Sequence, residues 1–167
     1  MRMPAAKESG VRNRLSWLLE MSLRRLRAVP GGDCMVRAAV VNYHPPTESV
    51  RSIAFAGRAC PYLDRLNLPL SDLPGLDFGT RSGRYRIIHD IAQVGDNRAR
   101  HVQALLEAGI RSSLTAAVPG LHEVGGFFFL NAEQPGAFTP DLQAAIRPRL
   151  DETLTLLRRE LNRPITK

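Results

Sequence analysis

The segment from Gly109 to Leu142 constrains the fold of this chain more than any other. Ser112 to Val118 (SSLTAAV) reads as a strand that Pro119 and Gly120 break. Gly125 and Gly126 open a second run, Phe127 to Asn131 (FFFLN). Three aromatics and a leucine in sequence suit a strand buried on both faces. Gln134-Pro135-Gly136 marks a turn. Thr139-Pro140-Asp141 then starts a helix, with a hydroxyl N-cap, a proline at the first helical position and a carboxylate in the first turn.

The faces of the first of these strands differ. Side chains alternate along a strand, so Ser113, Thr115 and Ala117 share one face and Leu114, Ala116 and Val118 the other. Small hydroxyl residues leave room above a sheet and supply donors and acceptors, as a small-molecule pocket requires. A half-exposed strand with a polar outer face would give the same pattern.

The rest of the chain supplies the partners of this segment. Residues 1–9 read as a disordered tail, and 163–167 as a second one, around a single domain over 10–162. Val11 to about Ala28 is predicted helical, with Val11, Leu15, Leu18, Leu19 and Leu26 on one side and arginines on the other. Met35–Tyr43 and Val50–Ala56 form a predicted hairpin around His44–Ser49. A short helix is expected over 57–66, and a loop over Leu68–Gly83, rich in proline and glycine. Arg84–Ile91 reads as a strand and Asn97–Ala108 as a helix closed by Gly109. The last helix runs from Thr139 to about Asn162, where Ile146, Leu150, Leu154, Leu157 and Leu161 recur every three or four residues. Pro148 inside it should kink or split it. Short turns between neighbouring strands make the sheet antiparallel and the class α+β.

Composition narrows the function. The chain has 167 residues, 44% hydrophobic and 23% charged, ordinary for one soluble domain. It shows no apolar run of membrane-spanning length and no secretion signal, so a cytoplasmic protein is expected. The net charge of +7 lies at the ends: +5 over 1–28, +3 over 147–167 and −1 between. Those charges alternate with leucines in helical segments, which describes solvated helix faces rather than a nucleic-acid or membrane surface. The apolar stripes of the two terminal helices could bury each other in a homodimer, or pack on the chain's own sheet.

Catalytic chemistry is not evident. No GxSxG elbow is present, and Gly75, Gly79 and Gly83 match neither a phosphate loop nor a dinucleotide fingerprint. His44, His89, His101 and His122 stand at no ligand spacing, and His89 and Asp90 point to opposite strand faces. Cys34 and Cys60 lack CxxC spacing and read as small buried hydrophobes.

Taken in order, MVRAAVVNYHPPTESVRSIAFA, LPLSDLPG, RYRIIHDI, GIRSSLTAAV, GGFFFLN, QPGAFTPD and the last helix resemble a GAF domain over Leu15–Leu161. The resemblance implies a six-stranded antiparallel sheet, with the terminal helices on one face and a ligand-pocket loop and helix on the other. It implies a non-catalytic sensory domain that binds a small molecule and dimerises through its terminal helices, signalling to an effector domain or partner protein. Pro69–Pro74 is similar to the PxSDIP motif of phytochromes, and His101 stands before Gly109 as their pyrrole-contacting histidine does. By that similarity Asp72 and His101 would face the centre of a ligand. Ser113 and Thr115 would meet its carboxylates or phosphates, and Asn131 would hold a further pocket position. The chain departs from that type at Asn97, where a plant-type chromophore cysteine would stand. A bilin-binding photosensor and an enzyme like the GAF-type free methionine sulfoxide reductases are the alternatives; the identity of any cofactor is left open.

Overall fold

The computed structural model describes residues 5–73, 76, 85–95, 97–120 and 124–163. Its elements are α1 (Ala5–Arg27), β1 (Met35–His44), β2 (Ser49–Gly57), α2 (Pro61–Asp64) and β3 (Asn67–Pro69). They continue as β4 (Tyr85–Ile88), α3 (Arg100–Glu107), β5 (Ser112–Pro119), β6 (Val124–Ala132) and α4 (Pro140–Leu161). The strands form one six-stranded sheet in the order β3-β2-β1-β6-β5-β4, with every neighbouring pair antiparallel. The α+β class expected from the sequence is the architecture observed.

The long central strands follow from their composition. Phe128 and Leu130 of β6 and Leu114, Ala116 and Val118 of β5 face the terminal helices, in one core with Leu15, Leu19 and Leu26 of α1 and Ile146, Leu150 and Leu157 of α4. Phe127 and Phe129 turn to the other face. The triple aromatic run is therefore buried on both sides, as its sequence requires. α1 packs on β1, β2 and α4, while α4 packs on β5 and β6.

Helix ends obey local chemistry. The Thr139 hydroxyl accepts a bond from the Leu142 amide, and Pro140 takes the first helical position. α3 ends in a Schellman motif: the Gly109 amide donates to the Leu106 carbonyl and the Ile110 amide to the Leu105 carbonyl, with Gly109 at φ 73°. A side chain at Gly109 would strain that left-handed turn.

Several elements depart from the sequence reading. α1 starts at Ala5, so residues 5–9, expected in a disordered tail, are helical. Pro148 does not split α4. It and Ala144, whose carbonyl loses its helical donor, both lie on the exposed side, where that carbonyl is open to solvent. The expected strand over Arg84–Ile91 is shorter, at Tyr85–Ile88, and α3 begins at Arg100 rather than Asn97. The segment expected to be entirely loop contains β3, three residues paired to β2, and a 3-10 turn at Leu70–Asp72. Residues 74–75 and 77–84 of that loop, and His122, lie outside the described residues.

β4 is the short strand at one edge of the sheet. Its Tyr85 faces the helix layer, donating a hydrogen bond of 2.7 Å to Asp151 of α4. The Arg147 guanidinium sits 4.8 Å from the Tyr85 ring centroid. Burial, then the bond to Asp151, push the Tyr85 phenol up to about 12.

Candidate functional site

The face of the sheet turned away from α1 and α4 is the floor of a cavity of about 400 Å³. α3 and the turn before it form one wall, with His101, Val102, Leu105, Ile91 and Val94 lining the space. Leu63, Leu66, Leu73 and Leu76 cover it from the α2 and β3 side. This is the size of an ordinary small-molecule site.

Strand register lays the floor out in rows. In one row Ile88, Ser113, Asn131 and Arg37 stand side by side on β4, β5, β6 and β1. In the next, two residues along, stand Arg86, Thr115, Phe129 and Ala39. A third row holds Ala117, Phe127, Val41 and Ser52. Ser52 reaches this face through an irregularity in β2. Val40 pairs with Ala54 and Val41 with Ser52, leaving Ile53 as an extra residue between them. Such a bulge changes which face the chain presents: Ile53 packs with the helix-side core, and Ser52 joins the cavity and donates to the Leu63 carbonyl.

Arg37 is a cation in the floor, only 2% exposed. It donates to Asp64 at 2.6 Å and to the Arg58 carbonyl at 2.9 Å, and stacks 4.7 Å from the Phe55 ring centroid. The second Asp64 oxygen accepts from the Cys60 amide at 2.9 Å. A buried charge is tolerable only when paired in this way. The pair also fastens α2, and with it the leucine cover, to β1.

The residues expected at the site are not all brought together. His101, Ser113, Thr115 and Asn131 line the cavity, and the Asn131 side-chain amide donates to the Ser113 hydroxyl at 3.0 Å. Asp72 stands apart: it is exposed at the end of the 3-10 turn and is not among the cavity-lining residues. The lining residues that sequence reasoning missed are Arg37, Ser52 and Arg86. Period-two alternation could have found the two arginines, since Arg37 shares parity with Ala39 and Val41, and Arg86 with Ile88. No sequence signal marks the bulge that re-aims Ser52.

The thiols offer little nucleophilic chemistry. Cys34 and Cys60 are both buried and free. Desolvation is the largest cause raising each thiol above its ordinary range, which suppresses the reactive thiolate. Neither lines the cavity. Among the described residues no cluster of His, Cys, Asp or Glu could hold a metal ion.

A six-stranded antiparallel sheet with paired terminal helices on one face and a walled cavity on the other is an α+β architecture with known counterparts. The chain has the fold of a GAF domain. It is similar to the phycocyanobilin-bound GAF domain of a cyanobacterial phytochrome, at 19% identity and TM-score 0.61, over 96% of this chain and 97% of that one. It is similar to a GAF domain/HD domain protein from Geobacter sulfurreducens, at 15% identity and TM-score 0.64, over 92% and 97%. It is also similar to the blue-light absorbing form of the PixJ GAF domain of Thermosynechococcus elongatus, at 14% identity and TM-score 0.63, over 88% and 86%. No family model and no curated protein matches the sequence.

Proposed function

We propose that residues 10–162 form a non-catalytic, cytoplasmic sensory module that binds one small molecule in the cavity. Binding is relayed to a partner copy or effector through the terminal helices. The observation that carries this reading is the walled cavity itself, with Ser113, Thr115, Asn131 and His101 on its lining. The raised pKa values of both thiols speak against a thiol enzyme. Among the described residues no helix is long and apolar enough to cross a membrane.

The route to a partner differs from the one the leucine stripes suggested. Leu15, Leu18, Leu19 and Leu26 are consumed by the chain's own core. Trp17 and Met21, four residues apart on α1, remain 65% and 38% exposed, and they would form the centre of a homodimer seam. Native mass spectrometry of freshly purified protein tests both halves. A retained small molecule and a dimer that Trp17→Ala converts to monomer are expected; an empty monomer would sink the reading.

Similarity to the phycocyanobilin-bound domain supports a second reading, a bilin photosensor. Co-expression with bilin synthesis decides it, since a protein that stays colourless is not one.

A further inference from the structure

α2 is held over the cavity by polar ties rather than by packing. Residues 61–65, the helical turn and the residue after it, contribute no buried side chain. The residues on either side are anchored, Cys60 at 1% and Leu66 at 7% exposed. A single helical turn has no stability of its own. Segments with few buried apolar contacts open locally, at a lower free energy than the whole domain.

Two floor residues hold this strap down. Arg37 of β1 pairs with Asp64 at 2.6 Å. Ser52 of β2 donates its hydroxyl to the Leu63 carbonyl and its amide, at 2.9 Å, to the Leu66 carbonyl. Ser52 is in place for this because the Ile53 bulge turns it to the cavity face. Two further ties run sideways to α3. The Cys60 thiol donates to the Ala104 carbonyl at 3.4 Å, and the Arg100 guanidinium sits 4.8 Å from the Tyr62 ring centroid. Leu63 rides on the strap and lines the cavity. Asp64 lies on Arg37 and Leu63 on Ser52, so lifting the strap uncovers the β1–β2 end of the floor.

We propose that residues 61–65 are the entry gate of the cavity, a strap that lifts between its anchors at Cys60 and Leu66, with Arg37 and Ser52 as its latch. This rests on the small-molecule reading above and adds the route by which the molecule enters. An ion pair suits a latch. While the strap is down, each buried charge needs the other; once it lifts, water solvates both.

Cys60 is a native reporter of that motion. Its thiol is buried, and burial raises it above its ordinary range, so a maleimide meets a reactive thiolate only when the strap is up. Cys34, also buried, lies in the helix-side core and serves as the reference. A third thiol, introduced by Ala39→Cys on the cavity floor, follows entry itself. The probe is N-phenylmaleimide, neutral and carrying one ring, and initial rates at each thiol are read by peptide mass spectrometry.

Cys60 is expected to react at least about tenfold faster than Cys34, and nearly independently of urea below the unfolding transition, because local opening exposes little surface. The floor thiol should follow Cys60. Asp64→Asn should speed both about tenfold relative to Cys34, by weakening a charged hydrogen bond to a neutral one. Arg100→Ala should speed both about two- to fivefold, by removing the contact with the Tyr62 ring. Arg100 is a surface residue, so this variant carries the test if Asp64→Asn does not fold.

Cys60 reacting no faster than Cys34, with the same urea dependence, would overturn the strap. A floor thiol that reacts while Cys60 stays protected, or that neither variant accelerates, would overturn the gate by showing entry elsewhere. Both results leave the small-molecule reading standing, which native mass spectrometry decides separately.

Discussion

The two faces of the sheet are built from the same strands and serve opposite ends. Toward α1 and α4, alternate residues of the central strands are mostly leucine, phenylalanine, alanine and valine, closed against two long helices, with the Tyr85–Asp151 bond at the β4 edge. Toward α3 and the leucine cover, the same strands present arginine, serine, threonine and asparagine around open space. Close packing on one side gives the rigidity that holds the polar groups in place on the other. The contrast is sharpest within β6, where Phe128 meets the helix core and its neighbour Phe129 lines the cavity.

That contrast can be broken experimentally. The largest effect is expected from Phe128→Ala, about 3–5 kcal/mol of lost stability in chemical denaturation, because a filled core becomes a void. Phe129→Ala should cost markedly less, since its ring already borders a cavity; equal losses would mean the faces do not differ in packing. Next comes Asp64→Ala, which leaves the Arg37 guanidinium buried without its carboxylate, at about 3 kcal/mol. A loss below about 1 kcal/mol would show that Arg37 escapes to solvent. Thr139→Ala removes a helix cap and should cost about 1 kcal/mol without changing ligand binding.

The smallest effect is alkaline. An unfolded tyrosine phenol titrates near 10.0, whereas Tyr85 holds its proton to about 12 in the folded state. The unfolded chain therefore loses its proton first as pH rises. The stabilisation tied to neutral Tyr85 is complete below pH 10 and is lost between about 10 and 12. Tyr85→Phe should flatten that part of the stability profile, and an unchanged alkaline slope would place the titration elsewhere.

The helix face was legible in the sequence because burial there follows a period. Leu114, Ala116 and Val118, and the stripe Ile146–Leu150–Leu157, sit where alternation and helical spacing put them. Half of the cavity face was legible for the same reason: Ser113 and Thr115 share the parity that turns them inward. The remainder depended on pairing between distant segments. Arg37 in MVRAAVVNY has the look of a surface residue until Asp64 is brought beside it by α2. β3 is three residues ending in proline, too short to show a pattern, and exists because β2 offers an edge. The Ile53 bulge shifts parity within a strand, which no alternation rule foresees. Asp72, singled out by a motif, is exposed and is not among the residues that line the cavity.

Tyr85 and Arg86 are successive residues, so one peptide unit joins a phenol tied to the C-terminal helix and a guanidinium on the cavity floor. Among the described residues β4 pairs on one edge only, at the end of the sheet order. The strand thus carries one arm on each face of the sheet. A ligand that drew the guanidinium inward would act on the Asp151 bond through that single peptide unit, with no interior strand between them.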